Sequence, residues 1–256
     1  MILPISIPIS PRVRSPVDAV RKHPKNASIA KISGSDNSIS KAEEVRRITN
    51  QKYEITEIAH EKYPFLHRIR ALRDIGSEVK AGALGGFVES EDNLSFRPGD
   101  DAWLFDDAIA CNDAYVDKGS YLRGNAIACG HAYVSRGTLL AGHARVEDDA
   151  YIRGAVLTDH ARASGFAVIV YDQDTGGVPM LSGQSAVYGR VSGDVRLTDT
   201  ALVISGEEIQ NDTLDTLVIS GQGRSVIRDD SRDELAPQTG QPEPSKAKIK
   251  ERQVER

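Results

Sequence analysis

The residues of this 256-residue chain best suited to proton transfer near neutral pH are its six histidines, His23, His60, His67, His131, His143 and His160. Three of them share a local setting: His131 in CGHAYV, His143 in AGHARV and His160 in TDHARA. An imidazole can deprotonate an acceptor hydroxyl or amine, which is what acyl transfer requires. His143 and His160 are the catalytic candidates, because the spacing stacks them on one edge of a repeating coil. A zinc site needs a third ligand, which His131 of a neighbouring subunit would have to supply. The competing reading assigns all three histidines to chain corners. The same slot holds Asp101, Asp107, Asp113, Asn125 and Asp149, types that tolerate positive φ or hydrogen-bond their own backbone. That reading explains the slot without chemistry, and it is preferred; no metal site is expected.

Other reactive groups carry bland readings of the same kind. Cys111 and Cys129 are 18 residues apart, so they stack one above the other and would meet if oxidised. With two cysteines in all, they read as free thiols of a reducing compartment. The corner pairs Asp100/Asp101, Asp106/Asp107 and Asp148/Asp149 read as solvated turns rather than cation sites. The segment Tyr171–Gly183, with Asp172 and Asp174, is either a substrate loop or an insertion without a role.

The elements that must position these groups come from a period of six. From Gly99 the chain reads GDDAWL, FDDAIA, CNDAYV, DKGSYL, RGNAIA, CGHAYV, SRGTLL, AGHARV, EDDAYI without a slip. A five-residue step, RGAVL, precedes TDHARA and SGFAVI. Position four is small throughout, as in Ala102, Ala108 and Ser120. Position six is apolar, as in Leu104, Val116 and Ile152. Residues two apart in a strand point the same way, so positions four and six face inward and position five outward. Each hexad is then one short strand and one corner, and three hexads close a triangular coil. The third position, rich in Asp, Asn, His and Gly, is the expected site of positive φ.

The fold expected is all-β, a single-stranded left-handed β-helix (a hexapeptide-repeat solenoid). The left hand comes from known hexapeptide folds, not from the spacing. Gly86/Val88 and Leu94 read as the opening rung, with Phe96–Gly99 inserted. After the 171–183 loop the inward pairs are Gly189/Val191, Val195/Leu197 and Ala201/Val203. Glu207–Leu217 reads as irregular, and Leu217–Ile219 with Ser225–Ile227 closes the last coil. Before the repeat, Lys52–Glu57 and the segment from Leu66 read as two strands joined near Tyr63–Pro64, a cap over the open end. The expected organisation is a disordered basic arm at 1–50, a hairpin cap and opening coil at 51–98, a β-helix at 99–227 with its loop at 171–183, and a disordered charged tail at 228–256.

Every third hexad shares a face, which defines three outward columns. They are Trp103, Tyr121, Leu139, Val156; then Tyr115, Tyr133, Tyr151, Val168; then Ile109, Ile127, Arg145, Arg162. Two are apolar or aromatic where a solvated face would carry charge. Trp103, Tyr121, Leu139, Tyr115, Tyr133 and Tyr151 are therefore candidate interface residues. The occupant is either a second copy, a protein partner, or the chain's own terminal segments.

Composition narrows the function classes. A net charge of −5 and the lack of a basic groove argue against nucleic acid. No run of about 18 apolar residues is present to span a membrane. Pro4, Ser6 and Pro8 break the opening apolar residues, which do not form the core of a secretory signal. Residues 1–50 carry nine Lys/Arg against four Asp/Glu and are rich in Ser and Pro. A short helix at Lys41–Ile48 with Ser40 as N-cap and Glu43 completing a capping box is expected there. The same arm has the composition of type III secretion signals. A bacterial cytoplasmic location is expected, with secretion into a host cell as the alternative.

The stretches KYEITE (Lys52–Glu57) and LHRIRALRDIGSEVKAGALGGFVESEDNLS (Leu66–Ser95), followed by Gly-Asn/Asp/His-Ala hexads, resemble the YdcK-like hexapeptide-repeat proteins of enterobacteria and their phages. The resemblance covers Lys52 to Ile169 and implies a single-stranded left-handed β-helix. It also carries the label of a transferase, a label resting on fold analogy. The long Ser/Pro-rich N-terminus and the extended tail depart from that family's pattern. The function expected is a non-catalytic solenoid scaffold or binding module that forms a homo-oligomer. No cofactor is expected. The alternative is an acyltransferase of the hexapeptide-repeat type, using a coenzyme A thioester.

Overall fold

A computed structural model of the protein describes residues 49–228. The arm at 1–50 and the tail at 228–256 fall outside the described residues, save 49, 50 and 228. So does the helix expected at Lys41–Ile48.

The described chain is all-β. Short parallel strands wind about seven turns into a β-solenoid whose three sheets hold nine, eight and six strands. Strands begin at Trp103, Ile109, Tyr115, Tyr121, Ile127 and Tyr133, six residues apart as the pattern requires. Partners on one face lie 18 residues apart: Trp103 pairs with Tyr121, Ile109 with Ile127, Tyr115 with Tyr133. The five-residue step shortens one coil, so Leu139 pairs with Val156 without loss of register. The outward columns define an aliphatic face (Tyr121, Leu139, Val156, Met180), a tyrosine face (Tyr115, Tyr133, Tyr151, Val168) and an isoleucine–arginine face (Ile109, Ile127, Arg145, Arg162).

Positions four and six fill the prism. Ala102, Ala108, Ala126 and Ala144 are fully buried, as are Leu104, Leu122, Leu140 and Val146. Each such leucine contributes about 1.5–3 kcal/mol by leaving water. The small position four closes the turn at each corner, as where Ala108 N–H donates to Phe105 O at 3.0 Å.

The corners differ from expectation by one residue. Positive φ falls on the second hexad position, at Asp106, Asn112, Lys118, Arg136, Asp148 and Asp159, or on a glycine there such as Gly124 or Gly142. Third-position Asp, Asn and His residues such as Asp107 and His131 are not in this conformation, although the third-position glycines Gly119 (φ 69°) and Gly137 (φ 70°) are, as expected. The reason lies in the ladder between coils. The left-handed residue turns its carbonyl toward the preceding coil, where a third-position N–H meets it: His143 N–H donates to Asp159 O (2.6 Å) and His131 N–H to Asp148 O (2.7 Å). Second-position carboxylates add a rung of their own. Asp106 accepts from Gly124 N–H and Asp159 from Gly183 N–H, both at 2.9 Å. Corner sterics therefore account for Asp and Gly at position two, and they do not account for histidine at position three.

Three further differences concern where coils begin and end. The segment 171–183 is not all loop: Met180–Leu181 is a strand paired with Val156–Leu157. Its inward Leu181 is buried, so the period resumes at Pro179. Glu208–Asn211, expected to be irregular, pairs with Arg190–Gly193 as another rung. Gly223–Ile227 does not continue the coil, but turns back antiparallel on Thr216–Ser220.

The expected hairpin caps the other end. β1 (Tyr53–Ala59) pairs antiparallel with β2 (His67–Ala71). β2 in turn pairs antiparallel with β3 (Leu84–Val88), and β3 starts the parallel ladder through Phe87 and Ile109. Beneath the hairpin, Tyr53, Ile69, Ile75, Val79 and Trp103 are buried in one cluster with the solenoid core. Lys52 is buried with them, and its ammonium donates to the carbonyls of Ser95 and Ala102. These oxygens belong to the first coil, so the lysine supplies donors where a further strand is missing.

Candidate functional site

The candidate groups lie on different edges of the prism. His143 and His160 stand on the edge between the aliphatic and isoleucine–arginine faces. Their imidazoles stack with centroids 4.9 Å apart and planes at 20°. Both are exposed. The column continues through Asn125 to Asp107, whose carboxylate Arg68 holds at 2.6 Å. A base of this kind is usually oriented by a third group. Among the described residues no carboxylate or hydroxyl hydrogen-bonds either ring.

His131 stands on another edge, between Asp113 (3.4 Å) and Asp149 (3.3 Å), with all three side chains at least half exposed. The structure thus brings His143 and His160 together and leaves His131 apart. No group of three or more His, Cys, Asp or Glu side chains placed to hold a metal occurs among the described residues.

The interface candidates divide by burial. Trp103 is only 1% exposed and Tyr115 only 3%. Trp103 packs edge-on against Tyr53 at 6.3 Å, so the hairpin's entrance covers it. Tyr115 lies beside Ser95 and Arg97, under the segment inserted before the first full hexad. Neither offers a surface to a partner, which corrects the expectation for both. Position five points outward, but an outward residue at the first coil meets the cap rather than water. Tyr121, Leu139, Tyr133 and Tyr151 remain half-buried. The tyrosine ladder is continuous: Tyr115 stacks on Tyr133 at 6.1 Å and Tyr133 meets Tyr151 at 5.4 Å. The Tyr133 hydroxyl donates to Asp117 at 3.0 Å, and burial pushes its pKa up to about 12.

Two clusters lay beyond sequence reasoning. Glu147, with a side chain only 7% exposed, accepts from Arg145 Nε at 2.6 Å and also pairs with Arg162 on the next coil. The signal was present: Glu147 opens a hexad two residues after Arg145, and Arg162 follows Arg145 in the outward column. Asp117 is buried, and its second oxygen has no partner. Nothing in its hexad, DKGSYL, distinguishes it from an exposed corner aspartate. Cys111 and Cys129 are buried free thiols that pack with Leu66, Phe87 and Ile109. Their mutual hydrogen bond and burial push the Cys111 thiol up.

The loop leaves the solenoid at Tyr171 and returns at Pro179. Asp172 ties it by accepting the N–H groups of Asp174 (2.9 Å) and Thr175 (2.8 Å), which holds the Asp172 carboxyl below the usual range. Asp172 therefore closes a turn within the loop. Tyr171 and Val178 border a cavity of about 290 Å³ at the edge between the tyrosine and aliphatic faces. The histidine pair flanks the aliphatic face on its other edge.

The fold class is a parallel β-solenoid. Compared with protein-family models, curated proteins and solved structures, the chain gives no match. The likeness to the YdcK-like proteins stands on the quoted residues alone.

Proposed function

We propose that the protein is a non-catalytic scaffold, left-handed like the proteins it resembles, that associates through its outer faces. The observation that carries this reading is the pair of columns Leu139–Val156–Met180 and Tyr133–Tyr151–Val168. Both run unbroken across adjacent coils, and Met180 is 41% exposed. Neighbouring coils stand about 4.8 Å apart, so the columns form two apolar stripes on a rigid frame. A second copy of the chain is the partner this reading favours, since identical stripes match across a two-fold axis. Two free thiols suit a reducing compartment. No helix among the described residues is long and apolar enough to cross a membrane.

Light scattering on the purified full chain tests this. The wild type should run as an oligomer, and Leu139→Asp combined with Val156→Asp should run as a monomer with an unchanged circular-dichroism spectrum. A monomeric wild type at high concentration would remove the reading.

The stacking of His143 on His160 favours one second reading, an acyltransferase that uses a coenzyme A thioester. Titrating the protein with acetyl-coenzyme A while following its melting temperature separates the two. A ligand at 100 times its Kd adds about 2.7 kcal/mol to stability, a shift that is easily seen. The scaffold reading expects no shift. A saturable shift abolished by replacing both histidines with alanine would establish thioester binding at the histidine edge, and acyl transfer to an added amine, lost in the same variant, would establish the enzyme.

A further inference from the structure

The cavity beside Tyr171 is built by a break in the repeat. On the edge between the tyrosine and aliphatic faces, successive corners are Arg136–Gly137 and Gly154–Ala155. The next corner is replaced by the excursion of residues 171–178. Tyr171 lies back on Gly154, where a Cβ would sit 2.8 Å from the ring, so only glycine leaves it room. Val156 and Val178 supply apolar walls, and the cavity measures about 290 Å³. That is the small end of the range for ligand pockets, enough for one ring or a short branched chain.

Arg136 lines the cavity, and Arg153, outside its lining, stands beside the same Tyr171 ring. Arg136 hydrogen-bonds the Tyr171 hydroxyl, and its guanidinium sits 5.1 Å from the ring centroid. The Arg153 guanidinium lies 6.0 Å from the same ring. Among the described residues neither arginine has a carboxylate within ion-pair distance. Arg68, Arg123, Arg145 and Arg162 each have one. In a chain with a net charge of −5, two guanidiniums converging on one aromatic ring without an acid are set apart from the rest. A guanidinium fork matches a carboxylate in two parallel hydrogen bonds, and the apolar walls would hold the body of the same molecule.

The geometry points to a binding site for a small carboxylate with a compact apolar body, an aromatic acid the size of benzoate, held by Arg136 and Arg153 over the Val156–Val178 cleft. The site shares Val156 with the aliphatic stripe and lies apart from the histidine edge.

Isothermal titration calorimetry of the full chain with benzoate tests it, with benzamide as the uncharged isostere and acetate as the anion without a body. Benzoate should bind saturably at one site per chain, with benzamide and acetate each at least ten-fold weaker. Arg136→Gln with Arg153→Gln should lose ten-fold or more for benzoate while keeping the wild-type melting temperature. If that pair is too unstable to compare, Val178→Asp, on the loop, should give the same loss. Absence of saturable heat with benzoate would overturn the assignment. So would equal binding of benzamide or acetate, or benzoate affinity unchanged in folded variants.

Discussion

Lys52 Nζ lies 2.6 Å from the carbonyl oxygen of Ala102, deep under the N-terminal hairpin, and no carboxylate accepts from it among the described residues. Burial pulls its pKa down from 10.5 to about 8, against a weaker opposing pull from Asp100. Its two acceptors, Ala102 O and Ser95 O, can both be served by a neutral amine, which still has two N–H bonds to give.

This lysine gives stability an unusual pH dependence. Below pH 8 it is charged in both folded and unfolded chains, and the cost of burying the charge is fully felt. Between pH 8 and 10.5 the folded chain has released a proton that the unfolded chain still holds, so stability rises with pH. The slope contributed is about 1.4 kcal/mol per pH unit, about 3 kcal/mol over the window. Tyr53, whose pKa burial raises, acts in the opposite sense above pH 10. Urea unfolding of the wild type against Lys52→Met isolates the lysine. The difference between them should shift toward the wild type across this window, and a parallel pair of curves would refute the assignment.

Two corner glycines with nearly the same φ should respond differently to alanine. Gly130 has φ 72° and Gly137 φ 70°. A Cβ at Gly130 would lie 2.8 Å from the Asp148 nitrogen, whereas one at Gly137 meets nothing within 4 Å. Gly137→Ala should cost about 1 kcal/mol, the strain of the left-handed conformation alone. Gly130→Ala should cost about 3 kcal/mol, because the next coil must also move. Equilibrium denaturation of both variants checks the order.

Glu147→Gln should destabilise the protein by about 2 kcal/mol. The substitution leaves the Arg145 guanidinium, itself only 21% exposed, without its counter-charge. Arg162 is 47% exposed and water compensates it, which keeps the loss below that of a fully buried pair. The matching change Arg162→Gln should cost less than half as much in the same denaturation experiment.

The thiols should be silent in the folded protein. Cys111 is 0% exposed and Cys129 2% exposed, and both sit in an apolar cluster. A chromogenic disulfide reagent at neutral pH should label neither on the minute timescale, and both at once in denaturant. Rapid labelling of the native chain would mean that the patch under Leu66 and Phe87 opens.

Tyr133→Phe should cost about 1–2 kcal/mol, since the Asp117 carboxylate already has one buried oxygen without a partner and would lose the partner of the other. Tyr115→Phe also keeps the ring stack but removes a hydroxyl bonded to Ser95 rather than to a buried carboxylate, and it should cost less. Thermal melts of the two variants against the wild type measure the difference.

The solenoid was legible in the sequence because its rule is local. A small residue at 102, 108 and 114 and an apolar one two positions later describe a strand facing inward, and no distant residue alters that. The face columns followed by counting. The displaced corner conformation was harder to read, because positions two and three both favour Asp, Asn and Gly. Only the hydrogen bonds between coils separate the two positions. The rung at Met180–Leu181 was missed because Gly176, Gly177 and Pro179 suggest a loop, and the pattern shows again only once Leu181 and Val187 are seen as inward neighbours. The burial of Trp103 and Tyr115 depends on how the cap folds over the first coil, and no period encodes that. The same holds for the cavity, which exists because Tyr171 falls onto Gly154 after a 17-residue separation.

Each coil contacts only the coil before it and the coil after it, and the two ends are finished differently, one by β1 and β2 and the other by the turn-back at Gly223–Ile227. The molecule is therefore a ruler with fixed end-pieces. Inserting one more 18-residue turn among the hexads would leave both end-pieces intact and move them apart by a single increment, about 4.8 Å. Whatever the two ends hold is kept at a distance that changes only in whole steps.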